Sequence, residues 1–151
     1  MMTIKELAGK RLVYTVEKGV SVQSAVEFMA QKNIGAVTVM DGDRLAGVFS
    51  ERDVINRVVS KGLDPRTTKV SGVMTTELVV ATADETCESC LRKMKQANCR
   101  HLPIVEGDKL VAFISLRDLL LVDISEKDDT IQFLHTYMFH VPTGVEKRYV
   151  K

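Results

Sequence analysis

The 151-residue sequence predicts an α/β (α+β) fold: two β-α-β-β-α units related by a pseudo-two-fold axis, packed sheet to sheet, plus a C-terminal helix. Two observations carry this. The chain repeats itself at a constant offset of 65 residues, and inside each copy the apolar spacing switches between strand and helix periods. Asp53 matches Asp118, and the register holds without a gap back to Val22 and Cys87. Along it Met29 falls on Met94, Asn33 on Asn98, Gly42-Asp43 on Gly107-Asp108, Ser50 on Ser115 and Arg52 on Arg117. An internal repeat sets the architecture before any local propensity does. Two copies are too few for a solenoid. They suit half-domains that cover each other's apolar faces, with ligand clefts between, because each half alone would bury little core.

In the first copy, Leu12 to Val16 reads as extended chain. A helix follows from about Ser21 to Lys32, with Val22, Ala25, Val26, Met29 and Ala30 on one apolar stripe. Asn33-Ile34-Gly35 ends it. Strands Ala36 to Met40 and Leu45 to Phe49 flank a turn at Asp41 to Arg44, where Gly42 is free to take positive φ. Ser50 opens a second helix, with Val54, Ile55, Val58 and Val59 expected inside. The second copy repeats this order. Leu78 to Ala81 is extended, and its helix turns Cys87, Cys90, Leu91 and Met94 inward. Strands Leu102 to Val105 and Leu110 to Ile114 follow, and Ser115 opens a helix with Leu119 and Leu120 inside. The units are expected at residues 10–60 and 73–124, with 61–72 as linker and 125–151 as C-terminal helix and tail. In that tail Asp128 and Asp129 suit a helix start, and Ile131, Leu134 and Met138 share one face. This face packs either on its own module or on a second copy.

Composition narrows the function. Formal net charge is +1 and no stripe of Lys or Arg stands out, which weighs against nucleic acid as the main partner. No apolar run is long enough to span a bilayer. The first residues lack a signal-peptide core, and three cysteines fit a reducing cytoplasm. Cys87-x-x-Cys90 invites a metal or redox reading, but both residues align with the core stripe of the first copy, and no second cysteine pair completes a ligand set. His135 and His140 miss the spacing that puts two histidines on one helical face. No Walker loop, nucleophile elbow or paired carboxylates mark an enzyme.

Gly47-Val48-Phe49-Ser50-Glu51-Arg52-Asp53 and Ala112-Phe113-Ile114-Ser115-Leu116-Arg117-Asp118 share one pattern. It is a small residue, two apolar residues, Ser, two variable residues and Asp. A lone Ser-x-x-Asp is also a helix capping box. The same heptapeptide twice, each time after two strands and an acidic-Gly turn, resembles the signature of the CBS domain. The resemblance covers about residues 10 to 124. It implies a Bateman module, the tandem arrangement of such domains, of the stand-alone bacterial or archaeal type. Family members commonly bind AMP, ADP, ATP, S-adenosylmethionine or NAD in two clefts, pair into flat dimers and regulate another protein.

By that resemblance Asp53 and Asp118 would accept from ribose hydroxyls, while Ser50 and Ser115 would reach phosphate at a helix start, a favourable place for an anion. Backbone near Ala36-Val37 and His101-Leu102 would read the adenine edge. Val13, Val16, Val79 and Ala81 would line an apolar slot, and Thr15, Val80 and Pro103 belong to the same candidate site. The copies differ where Gly35-Ala36 faces Arg100-His101. The family pattern sends Arg100, His101 and Arg117 toward the Asp53 cleft, and Arg52 with Gly35-Ala36 toward the Asp118 cleft. The first cleft would then prefer a compact, highly charged phosphate, and the second a dinucleotide such as NAD or a neutral adenosine derivative. The expected function is a cytoplasmic, homodimeric sensor of adenine nucleotides that signals to a protein in trans. The alternatives are a ligand-free interaction module and an unrecognised nucleotide-dependent enzyme.

Overall fold

The computed structural model describes residues 3–9 and 12–125. In chain order these form α1 (Ile4–Ala8), β1 (Thr15–Glu17), α2 (Val22–Lys32), β2 (Ala36–Asp41), β3 (Arg44–Ser50) and α3 (Glu51–Asp53), which continues as a π-helix over Val54–Val59. A 3-10 turn (Val70–Gly72) leads to β4 (Ala81–Thr82), α4 (Cys87–Ala97), β5 (His101–Glu106), β6 (Lys109–Ser115) and α5 (Leu116–Ser125). The C-terminal helix expected from the sequence lies outside the described residues.

The two copies build matching three-stranded sheets, β1-β2-β3 and β4-β5-β6, each with one parallel and one antiparallel pairing. The sheets meet along β3 and β6. Local chemistry explains why the elements stop and start together. Ser21 and Thr86 cap α2 and α4, each side chain accepting from the backbone N–H three residues on, at 3.1 Å in both. Asn33 and Asn98 end the same helices in the left-handed region, at φ 53° and 51°, a conformation Asn tolerates better than most residues. Gly42 and Gly107 take φ 60° in the matching hairpin turns. Even the strand irregularities correspond, at Val39/Met40 and Ile104/Val105.

The cores are exchanged at their edges. Ile4, Leu7 and Ala8 of α1, the segment before the first copy, are buried in the core of the second, against residues such as Ile114 and Leu119. Val70 and Val73, from the segment before the second copy, are buried in the core of the first with Val22, Val37 and Phe49. The stretch read as linker therefore contributes to a core. Thr3 and Glu6 hold the short α1 in a reciprocal capping box. Separating the halves would uncover apolar side chains of both.

Four expectations about the interior, at Ile55, Val59, Ala30 and Leu120, are corrected. Val58 is fully buried and Val54 half-buried, but Ile55 is 62% and Val59 68% exposed. The winding also widens after Asp53: Ser60 N–H donates to the Ile55 carbonyl at 2.9 Å and Leu63 N–H to the Val58 carbonyl at 3.0 Å, five residues back in each case. Val54 and Val58 lie on one strip of the helix, and Ile55 and Val59 on a second strip about 100° away that faces outward. Ala30 is exposed where α2 ends, and Leu120 is half-buried beside a fully buried Leu119.

Candidate functional site

The first turn after β3 is built around Asp53. Its Oδ2 accepts from the Ser50 N–H at 3.0 Å and from the Ser50 hydroxyl at 3.2 Å, while Asp53 N–H donates to Ser50 Oγ at 3.4 Å. This is the capping box that the Ser-x-x-Asp spacing anticipates. Its other oxygen turns toward the connector between the copies. Oδ1 accepts from the Thr75 hydroxyl at 3.2 Å and lies 3.5 Å from Arg57 Nε. Arg57 in turn donates to the Met74 carbonyl at 2.9 Å. Thr75 itself pairs with β3 in both directions: its N–H donates to the Val48 carbonyl at 2.9 Å, and its carbonyl accepts from the Val48 N–H at 3.0 Å. Asp53 is consequently 6% exposed. The second copy repeats the cap: Ser115 N–H donates to Asp118 Oδ2 at 2.9 Å, and Asp118 N–H to Ser115 Oγ at 3.1 Å, with Asp118 half-buried.

A cleft of about 380 Å³ opens beside Asp53. The first copy lines it with Gly35, Val48, Ser50, Glu51, Arg52, Asp53 and Arg57. The second supplies Asn98, Cys99, Arg100, His101 and Pro103, and the connector adds Thr75, Glu77, Leu78 and Val79. A volume near 400 Å³ suits a small ligand, since such sites run from roughly 300 to 1,000 Å³. Val48, Leu78, Val79 and Pro103 add apolar surface to the lining beside the polar helix start.

Of the residues expected from the sequence, Gly35, Ser50, Asp53, Val79, Arg100, His101 and Pro103 come together in this cleft. Arg52 lines it too, although it was expected at the Asp118 side; it precedes Asp53 on the same turn and emerges beside it. Arg117 belongs to the other helix start and does not line this cleft. Nor do Val13, Thr15, Val16, Val80, Ser115 and Asp118. Ala36, Val37 and Leu102 put their side chains into the cores. The Val80 carbonyl accepts from Lys93 Nζ at 3.0 Å. Glu51, Arg57, Thr75, Glu77 and Leu78 went unnoticed as site residues. Glu51 and Arg57 flank the recognised motif, but Thr75, Glu77 and Leu78 lie on an irregular connector with no periodic signal.

His101 stands at the junction. Its ring stacks on Phe113, centroids 5.3 Å apart and planes at 22°. Burial holds its pKa below the ordinary value; Asp118 opposes that shift, Arg100 adds to it and Glu51 opposes it. One imidazole therefore lines the Asp53 cleft and feels the carboxylate of the other helix start. Cys90 is pushed up to about 11, chiefly by burial, which suits a packed apolar thiol. Among the described residues no group of three or more His, Cys, Asp or Glu is placed to hold a metal ion. No described helix is long and apolar enough to cross a membrane.

The CBS domain model matches residues 4–60 and 70–125. A CBS domain-containing protein of Bacillus subtilis, YhcV, is 36% identical over 115 residues, covering 76% of this chain and 81% of that protein. Two Arabidopsis thaliana CBS domain-containing proteins, CBSCBSPB2 and CBSCBSPB3, are 33% and 31% identical, and the matches span only 24% and 26% of their length. Among solved structures, a protein with CBS domains from Burkholderia ambifaria MC40-6 superposes with a TM-score of 0.79 at 32% identity, over 86% of this chain and 99% of that one. The CBS-domain protein ATU1752 of Agrobacterium tumefaciens gives 0.74 at 30% identity, over 81% and 99%. The two matched segments coincide with the two sheets, their helices and the exchanged segments before them, so the chain belongs to the CBS-domain family as a tandem pair, a Bateman module of the regulatory, non-catalytic kind.

Proposed function

We propose that this module binds an adenine nucleotide, AMP, ADP, ATP or NAD(H), in the cleft between its copies and signals to a partner protein by changing their relative arrangement. One observation carries the reading: Ser50 and Asp53 of the first copy line a single cleft together with Arg100 and His101 of the second and with apolar Leu78, Val79 and Pro103. Leu78 and Val79 would cover the adenine face. Asp53 would accept from the ribose, and Arg100, His101 and the helix start would meet the phosphate. Asp53 already holds the connector through Thr75. A ribose hydroxyl arriving at Oδ1 competes with that bond, which links occupancy to the segment joining the copies. Differential affinity for the two arrangements then sets the size of the shift. A matching nucleotide site at Ser115 and Asp118, with Arg117, completes the proposal. Exposed Ile55 and Val59 offer a face for a homodimer, and three cysteines outside any disulfide suit a reducing cytoplasm.

The test is thermal melting with AMP, ADP, ATP, NAD, NADH, S-adenosylmethionine and GTP. A ligand at ~100 times its dissociation constant adds about 2.7 kcal/mol, a shift of several degrees. Stabilisation by adenine compounds that is lost in Asp53→Asn plus Asp118→Asn supports the sensor. A second reading, a ligand-free interaction module, is favoured by the low exposure and full bonding of Asp53. It predicts no shift with any compound.

A further inference from the structure

Glu51 opens α3 one residue after the Ser50 cap, and its N–H donates to the Gly35 carbonyl at 3.0 Å. Its side chain folds back over that glycine. A Cβ on residue 35 would meet Glu51 Oε1, well inside contact distance. The carboxylate therefore occupies space that any other residue type at position 35 would claim. In the second copy the pair is inverted. Leu116 N–H donates to the Arg100 carbonyl at 2.7 Å, so the same backbone joint carries arginine in place of glycine and leucine in place of the acid. Around the Asp53 cleft, Glu51, Asp53 and Glu77 stand with Arg52, Arg57 and Arg100. Formal charge is balanced there, and Arg57 is already engaged with Asp53 and the Met74 carbonyl. A phosphate chain entering at the helix start would bring several negative charges beside Glu51.

We propose that Glu51, seated over Gly35, limits the Asp53 cleft to ligands with one small anionic group and selects against polyphosphates. This rests on reading the cleft as an adenine-nucleotide site. It also modifies the expectation of a highly charged phosphate there, because the acid at the helix start offsets what Arg100 and His101 attract.

The experiment is titration calorimetry with AMP and ATP, without divalent cations, in an Asp118→Asn background so that the heat reports the Asp53 cleft. The parent should bind AMP more tightly than ATP. Glu51→Gln should move the AMP-to-ATP affinity ratio toward ATP by roughly tenfold at low salt, and by less as salt screens the charges. Gly35→Ala displaces the carboxylate, the far end of a flexible side chain, without changing net charge. It should shift the ratio when Glu51 is present and leave it unchanged in Glu51→Gln. Binding with a ratio that Glu51→Gln moves less than twofold, or tighter ATP binding by the parent, overturns the role of Glu51 while the nucleotide site stands. Absence of binding by both compounds to parent and variants overturns the site and the filter together.

Discussion

Thr75→Val is the substitution that most directly probes how the connector and the cleft are coupled. It is nearly isosteric and removes one hydroxyl, the donor to Asp53 Oδ1 at 3.2 Å. The acceptor is a carboxylate 6% exposed, with little water to replace the lost donor. Hydrogen bonds to charged groups contribute about 1.5–3 kcal/mol. Arg57 Nε, 3.5 Å from the same oxygen, retains part of the compensation, so the lower half of that range applies, about 1.5–2 kcal/mol. The backbone pairing of Thr75 with Val48 is unaffected by the side chain. For a chain of this length each kcal/mol moves the midpoint by about 2–4 °C, so the apo protein should melt roughly 3–8 °C lower.

The affinity for nucleotide should change in the opposite sense. If the ribose competes with Thr75 for Oδ1, removing the competitor tightens binding, and saturating ligand should recover much of the lost midpoint. Calorimetric melting and titration of wild type, Thr75→Val, Asp53→Asn and the double variant measure both effects and their coupling. Weaker nucleotide binding in Thr75→Val would show that the hydroxyl serves the ligand directly, and would refute the competition. An unchanged apo midpoint would refute the stabilising role assigned to the Thr75–Asp53 bond.

Ile4→Ala should cost about 2–5 kcal/mol in urea unfolding, as for other fully buried large-to-small changes, because Ile4 is fully buried in the core of the second copy; a loss within 0.5 kcal/mol, about that of a surface change, would contradict the exchanged packing. Burial keeps the His101 pKa in the folded state below its unfolded value near 6.5. The unfolded chain therefore binds the extra proton first, so stability is lost as pH falls below about 6.5 and toward the folded pKa. Melting from pH 7.5 to 5.5 should fall less steeply in His101→Gln, and equal slopes would remove His101 from the account. Cys99 lines the cleft and is partly exposed, whereas Cys87 and Cys90 are buried; alkylation followed by mass spectrometry should mark Cys99 first, slowly because burial raises its pKa, and bound nucleotide should protect it. Equal labelling with and without a nucleotide that stabilises the protein would place that ligand elsewhere.

What could be read from the chain, and what could not, divides by the range of the interaction. The sheets, α2 and α4 were legible because their determinants are local and duplicated: an oxygen-bearing cap at Ser21 and Thr86, a left-handed Asn at 33 and 98, and a glycine at each hairpin turn. The Ser50–Asp53 box was legible for the same reason. The π-helical winding was not, since Val54, Ile55, Val58 and Val59 satisfy an α-helical stripe as they stand. The hydrogen bonds to carbonyls five residues back, and the exposed strip of Ile55 and Val59, show only in the fold. The exchange of α1 and Val70 between cores was hidden too. A five-residue helix carries no period, and its partner residues lie more than 70 positions away.

The site shows the same division more sharply. Ser50, Asp53, Arg100 and His101 could be named from a motif and its copy, because their residue types announce their chemistry. The consequence of Glu51 could not, although it sits inside that motif. Its position depends on what Gly35 lacks, a Cβ sixteen residues earlier, and the backbone joint that brings the two together is invisible in either heptapeptide. Repetition made the common parts of the two copies conspicuous. Where the copies differ, at Gly35 and Glu51 against Arg100 and Leu116, the same joint carries different charge.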